Sequence, residues 1–136
     1  MTNDNNSLIG QSVSLENKVT KAITALAFAV AEGEDYAEVL ATPHLIADME
    51  RACAKILEPI IAPGQVSVGA HIDVKHLAAT GIGASYTVTA TLIEKKWGLF
   101  TFEVTAKDSV GMIGKGQIIR AIASIKTIMQ RGQQAT

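Results

Sequence analysis

Several things are scarce in this sequence, and each shortage removes a class of protein. A single cysteine, Cys53, stands in 136 residues, which excludes an internal disulfide framework and a cysteine-rich zinc site. With only three prolines there is no proline-rich linker to divide the chain. Neither charge is in excess: 12 Lys and Arg face 13 Asp and Glu, a formal net charge of -1. A general nucleic-acid binder would carry a basic stripe, and none is present. Long apolar runs are missing too. The longest early one, AITALAFAVA from Ala22 to Ala31, is about half of what a membrane-spanning helix needs. The N-terminus, MTNDNNS, lacks the basic start of a secretory signal. These absences lead us to expect a soluble, cytoplasmic protein with no membrane or nucleic-acid partner.

What is present is a chain with 48% hydrophobic residues and no convincing internal repeat. That length suits one domain with a single core. We expect a mobile polar tail over residues 1–9, one domain over 10–130, and a C-terminal tail over 131–136. Gly10 to Val19 alternates weakly and reads as a strand. Residues 20–31 are ambiguous between a short helix and a strand. The acidic stretch AEGEDYAE, from Ala31 to Glu38, reads as a loop whose one large apolar group is Tyr36. A helix begins at ATPHLIADMERACAKILEP, with Thr42 expected as its N-cap and Pro43 in its first turn. Asp48 and Glu50 precede Arg51 and Lys55, in keeping with the helix dipole. Pro59 and then Pro63-Gly64 end it.

Beyond Gly64 the pattern alternates, giving strands near 65–76, 84–96, 99–108 and 111–129. Tight reversals fall at Trp97-Gly98 and Asp108–Gly111. Gly114 and Gly116 point to a bulge or a close backbone approach. Strands joined by short turns are antiparallel neighbours. The one helix is apolar on more than one side, through Leu45, Ile46, Met49, Ala52, Cys53, Ile56 and Leu57. A sheet curled around that helix would bury it. The expectation is an α+β hot-dog fold, an antiparallel sheet wrapped around one long helix. Such a sheet keeps an open edge, which calls for a homodimer or a higher homo-oligomer.

Two polar residues stand where apolar ones belong. In QVSVGAHIDVKH, the residues Val66, Val68, Ala70, Ile72 and Val74 recur at every second position and His76 continues the series. Alternation puts them all on one face. His71 has the opposite parity and reads as a surface residue; His44, in the first helical turn, reads as solvated. On the helix, Ile46, Cys53 and Leu57 lie within about 60° of Glu50 on the helical wheel. Glu50 must therefore be paired, wetted or protonated. The plain reading pairs it with Lys55 or Arg51. The functional reading lets Glu50 and His76 meet where helix packs on sheet, as an acid/base pair away from water. Thr42, about two turns before Glu50, belongs to the same surface. The backbone N–H groups of the helix start could hold an oxyanion.

ATPHLIADMERAC together with VGAHIDVKHLAATGIGASYTVTATL and DSVGMIGKGQIIRA resembles the hot-dog thioesterases of the fluoroacetyl-CoA thioesterase type. The resemblance covers about residues 36–125. It implies hydrolysis of an acyl-CoA thioester by a threonine, a glutamate and a histidine, matched here by Thr42, Glu50 and His76, with Gly69 near the acyl group. Fluoroacetyl-specific members carry a pair of phenylalanines in a lid before the helix. Tyr36 is the only aromatic residue of the matching EGEDYAEVL, so a different acyl group is expected here, with Tyr36 among the substrate-binding residues. The segment after His76 has Thr80-Gly81 where Thr-Pro is more usual. Lys115 and Arg120 are candidate partners for CoA phosphates. CoA is part of the substrate, so no cofactor or metal is expected. The alternatives are a hot-dog acyl-thioester hydratase or dehydratase, a non-catalytic acyl-CoA-binding module, and a structural dimer in which Glu50 and His76 only pair with each other.

Overall fold

The computed structural model describes residues 8–135. Strand β1 (Ser12–Lys18) is followed by two short 3-10 turns, Lys21–Ile23 and Ala25–Phe28, and by helix α1 (Thr42–Leu57). Then come β2 (Gln65–His76), β3 (Ser85–Lys96), β4 (Leu99–Asp108), β5 (Met112–Ser124) and a closing helix, α2 (Ile125–Gln134). The five strands form one sheet in the order β1-β3-β4-β5-β2, and every pairing is antiparallel. Helix α1 touches all five strands.

The core follows from alternation. Tyr86, Val88, Ala90 and Leu92 of β3 and Phe100, Phe102, Val104 and Ala106 of β4 are buried on the face that meets α1. Against them pack Leu45, Met49, Ala52, Cys53, Ile56 and Leu57 of the helix. Two glycines of β5 permit close approach, Gly114 to the helix and Gly116 to the backbone of the neighbouring strand β2. A Cβ on Gly114 would stand 3.0 Å from Leu45 Cδ2, and one on Gly116 would collide with the backbone of Asp73 and Val74. This is the close approach expected of that pair.

Several sequence expectations are corrected. The stretch 20–31, ambiguous in the sequence between a short helix and a strand, forms two short helices of the 3-10 kind, Lys21–Ile23 and Ala25–Phe28. The last strand stops at Ser124 instead of running to 129, and α2 continues to Gln134 where a tail was expected from 131. The Ser124 hydroxyl accepts the Thr127 N–H at 3.3 Å, and Ile125, Ile128 and Met129 share one helical face. Of the expected N-terminal tail, residues 1–7 lie outside the described residues, while Leu8 is buried in the core. Thr42 is not the N-cap of α1. That place is taken by Ala41, and no side chain caps the helix.

The most consequential correction concerns β2. Its register against β5 slips between Gly69 and His71, leaving Ala70 as the extra residue of a bulge. A bulge exchanges the two faces of everything on one side of it. Ile72, Val74 and His76 pair with Ile118, Gly116 and Gly114 on the helix-facing side. Before the bulge, Ser67 and Gly69 pair with Ile122 and Arg120 on that side. Val66 and Val68 are turned to the outer face, and the run of one-sided positions is interrupted in its middle.

Candidate active site

Two polar clusters occupy the seam between α1 and β2. The first lies at the helix start. Thr42 Oγ1 and His76 Nδ1 are hydrogen-bonded at 2.7 Å. The hydroxyl is free to reach the imidazole because it does not cap its own helix. His76 Nε2 is buried and has no hydrogen-bond partner. Thr42 also stands where two clefts meet. One, of about 370 Å³, is lined by Val39, Leu40, His76, Leu77 and Ala78 with Thr42 and Ala25. The other, of about 320 Å³, is lined by Phe28, Tyr36, Ala41 and Pro43, again with Thr42 and Ala25.

The second cluster surrounds Glu50. Its Oε1 accepts from Arg120 Nη1 at 2.7 Å. The same guanidinium donates through Nη2 to the Ser67 carbonyl at 2.8 Å and through Nε to Ser67 Oγ at 3.2 Å. Gly69 lies directly beneath. A Cβ there would come within 2.5 Å of Glu50 Oε1, so this carboxylate position requires glycine. The partner of Glu50 is therefore Arg120, not Lys55 or Arg51. Arg51 instead reaches Asp48 at 3.1 Å. Eight residues of helix separate Thr42 from Glu50, an axial distance of about 12 Å. Within one chain the structure joins Thr42 to His76 and Glu50 to Arg120 and Gly69, but keeps the two groups apart.

The remaining candidates fall elsewhere. Lys115 projects from the outer face of the sheet opposite Lys75, in a shallow groove it shares with Asp73, Glu103, Thr105 and Gln117. Tyr36 is half exposed at the rim of the second cleft. His71 is exposed, while His44 is partly covered and packs its ring 5.8 Å from that of Phe28.

Sequence reasoning missed three features. Phe28, hidden in the ambiguous segment, supplies a second aromatic wall beside Tyr36. Asp48, read as a dipole partner, is buried and accepts from Tyr86 Oη and, at 3.1 Å, from Asn17 Nδ2. Burial, together with the Asp48 carboxylate, raises the Tyr86 phenol well above its ordinary value. Thr80 is buried as well, and its hydroxyl donates to Asp108 Oδ2 at 2.9 Å. The strand parity of Asn17 and Tyr86 was the one available signal for the Asp48 cluster.

A curled antiparallel sheet closed on one long helix is the hot-dog architecture, and solved thioesterases share it. A solved fluoroacetyl-CoA thioesterase, FlK, superposes on the chain with a TM-score of 0.89 at 31% identity, covering 94% of this chain and 96% of that one. A variant of FlK solved with fluoroacetate and CoA superposes with a TM-score of 0.83 at 30% identity, over 88% and 98% of the two chains. The fluoroacetyl-CoA thioesterase of Streptantibioticus cattleyicolor is 35% identical over 105 residues, 77% of this chain and 76% of that protein. The profile of the family described as fluoroacetyl-CoA-specific thioesterase matches residues 19–126. The chain belongs to this family, and it is a thioester hydrolase.

Proposed function

We propose that the protein hydrolyses an acyl-CoA thioester at Thr42 and His76, and that Glu50 reaches this pair from a second copy of the chain. The observation that carries the reading is the 2.7 Å bond between Thr42 Oγ1 and His76 Nδ1 at the junction of two clefts. A hydroxyl and a base within hydrogen-bond reach form a unit that can move a proton. The thioester carbonyl stands at Thr42, with the acyl group in one cleft and the pantetheine arm in the other. Water gives up a proton to the Glu50 carboxylate as it adds to the carbonyl carbon, the C–S bond breaks, and the departing thiolate takes a proton from the protonated His76; the proton held by Glu50 then passes to solvent or back to His76. The products are a carboxylate and free CoA. Among the described residues Lys75 and Lys115 form no ion pair, which leaves them available to CoA phosphates, whereas Arg120 is engaged in fixing Glu50.

The homodimer is inferred from β2. This strand is an edge of the sheet, and Gly69 to Asp73 are all exposed. Ile72 is on the helix-facing side yet 44% exposed, an apolar residue awaiting cover. An antiparallel pairing of β2 with its own copy, centred on His71, supplies that cover. It also places the partner's Gly69 opposite Asp73, about 10 Å along the strand from His76, against about 23 Å for Gly69 of the same chain. The partner's Glu50, seated over that glycine, is then the carboxylate nearer to His76.

The test is subunit complementation, preceded by thiol release from acetyl-, fluoroacetyl-, butyryl-, octanoyl- and phenylacetyl-CoA to choose the substrate. Glu50→Gln and His76→Ala are each expected to lower turnover by at least about 10²-fold. Mixed and re-associated, the two variants form heterodimers with one intact site, and activity returns. If the mixture stays as inactive as its components, Glu50 acts within its own chain. If neither variant loses activity, the site is wrong.

A further inference from the structure

Thr42 and His76 belong to different elements, and a short side-chain bond between them requires those elements to be held in place. The segment after β2 does this. Leu77 N–H donates to the Ile113 carbonyl at 2.7 Å, tying the residue next to His76 to the start of β5. Four residues beyond His76, Thr80 is 2% exposed. Its carbonyl accepts the Leu40 N–H at 2.8 Å, two residues before Thr42, and Gly81 bridges to Val39 alongside. Its hydroxyl donates to Asp108 Oδ2 at 2.9 Å. The other oxygen of Asp108 accepts Val110 N–H at 2.9 Å and Gly111 N–H at 3.2 Å, fixing the β4–β5 turn. One residue is thus bonded to the strap that enters α1, to the turn between β4 and β5, and through the chain to His76.

We propose that Thr80 and Asp108 are positioning residues for thioester hydrolysis, setting the separation of Thr42 Oγ1 from His76 Nδ1. The proposal rests on the reading of Thr42 and His76 as the reacting pair. Its physical basis is the steep dependence of catalysis on placement, where a displacement of about 1 Å costs up to about 10²-fold. Neither residue touches either cleft, so substrate binding is left alone.

The experiment uses the full chain and whichever of the five acyl-CoA esters reacts fastest. Thr80→Val keeps the shape and removes the donor; it is expected to lower kcat about tenfold with KM changed by less than about twofold. Thr80→Ser restores the hydroxyl and returns kcat to within about twofold of the parent. Asp108→Asn behaves like Thr80→Val, and the double variant is no worse than either single one, as two ends of one bond require. A Thr80→Val protein that folds and keeps its kcat overturns the inference, as does a loss that serine does not rescue. If Thr80→Val fails to fold, Asp108→Asn and Thr80→Ser decide in the same way. His76→Ala is measured in parallel: if it too retains turnover, the site assignment falls and this inference with it, whereas loss in His76→Ala alone removes only the positioning role.

Discussion

At the scale of single residues, the proposed site depends on what is absent as much as on what is present. Gly69 has no side chain, and Glu50 Oε1 occupies the space a Cβ would need. Gly69→Ala must push this carboxylate off Arg120, so turnover should fall about tenfold or more while the fold survives, with steady-state kinetics beside a thermal melt as the check. Arg120→Met leaves Glu50 without its charged partner in a half-buried place. A loss of about 3 kcal/mol of stability is expected in denaturant titration, because a stranded charge costs more than the pair contributes. Cys53 lies against the same cluster, fully buried. Burial pushes its thiol up to about 12, with Arg120 opposing the rise and Glu50 adding to it. It should resist a thiol-specific disulfide reagent until the protein unfolds, although it is the only cysteine in the chain.

At the scale of elements, polar groups tie α1 to the sheet on both flanks. Arg120 and Glu50 hold it to β2 and β5. On the other flank Asp48 joins β1 and β3 through Asn17 and Tyr86. Tyr86→Phe removes a buried donor from a carboxylate and should cost about 1–3 kcal/mol, read from the shift in unfolding midpoint. The β4–β5 turn carries a pH dependence of known sign. The Thr80 hydroxyl, with the N–H groups of Val110 and Gly111, holds the Asp108 carboxyl below the ordinary aspartate range. A depressed acid stabilises the fold above its unfolded pKa, and that contribution is lost as pH falls through the folded value. Melting temperatures followed into acid should therefore drop less steeply for Asp108→Asn than for the parent, and coincident curves would remove the turn from the acid response. Element boundaries were legible where turn chemistry is strong. Trp97-Gly98 reverses the chain with both residues at positive φ, as a two-residue hairpin requires. They were not legible at Ser124, because the β-branched Ile125, Thr127 and Ile128 read as a continuing strand although Ser124 caps a helix.

At the scale of the whole molecule, β2 is the unfinished edge. Ile72→Lys places a charge on the surface that the proposed two-fold pairing covers. If the proposed pairing holds, the parent runs as a dimer in light scattering and the variant as a monomer, and the variant loses turnover because Glu50 is then withheld from His76 of the other chain. A variant that stays dimeric would move the interface to another surface.

The sequence by itself determined the class of fold, because hydrophobic period and turn residues are local properties: one helix apolar on several sides, then four alternating segments joined by short reversals. It also marked Glu50 and His76 as polar residues out of place. What only the tertiary structure decided is where they stand and what they bond to. A single extra residue in β2 exchanges the faces of the strand, bringing Gly69 under Glu50 and leaving His76 inward, and no alternation in the sequence announces it. The partners are equally non-local. Arg120 is 70 residues from Glu50 in the chain, and Thr42 is 34 from His76. Which side chain satisfies which is settled by register and packing, and these exist only once the sheet has closed on the helix.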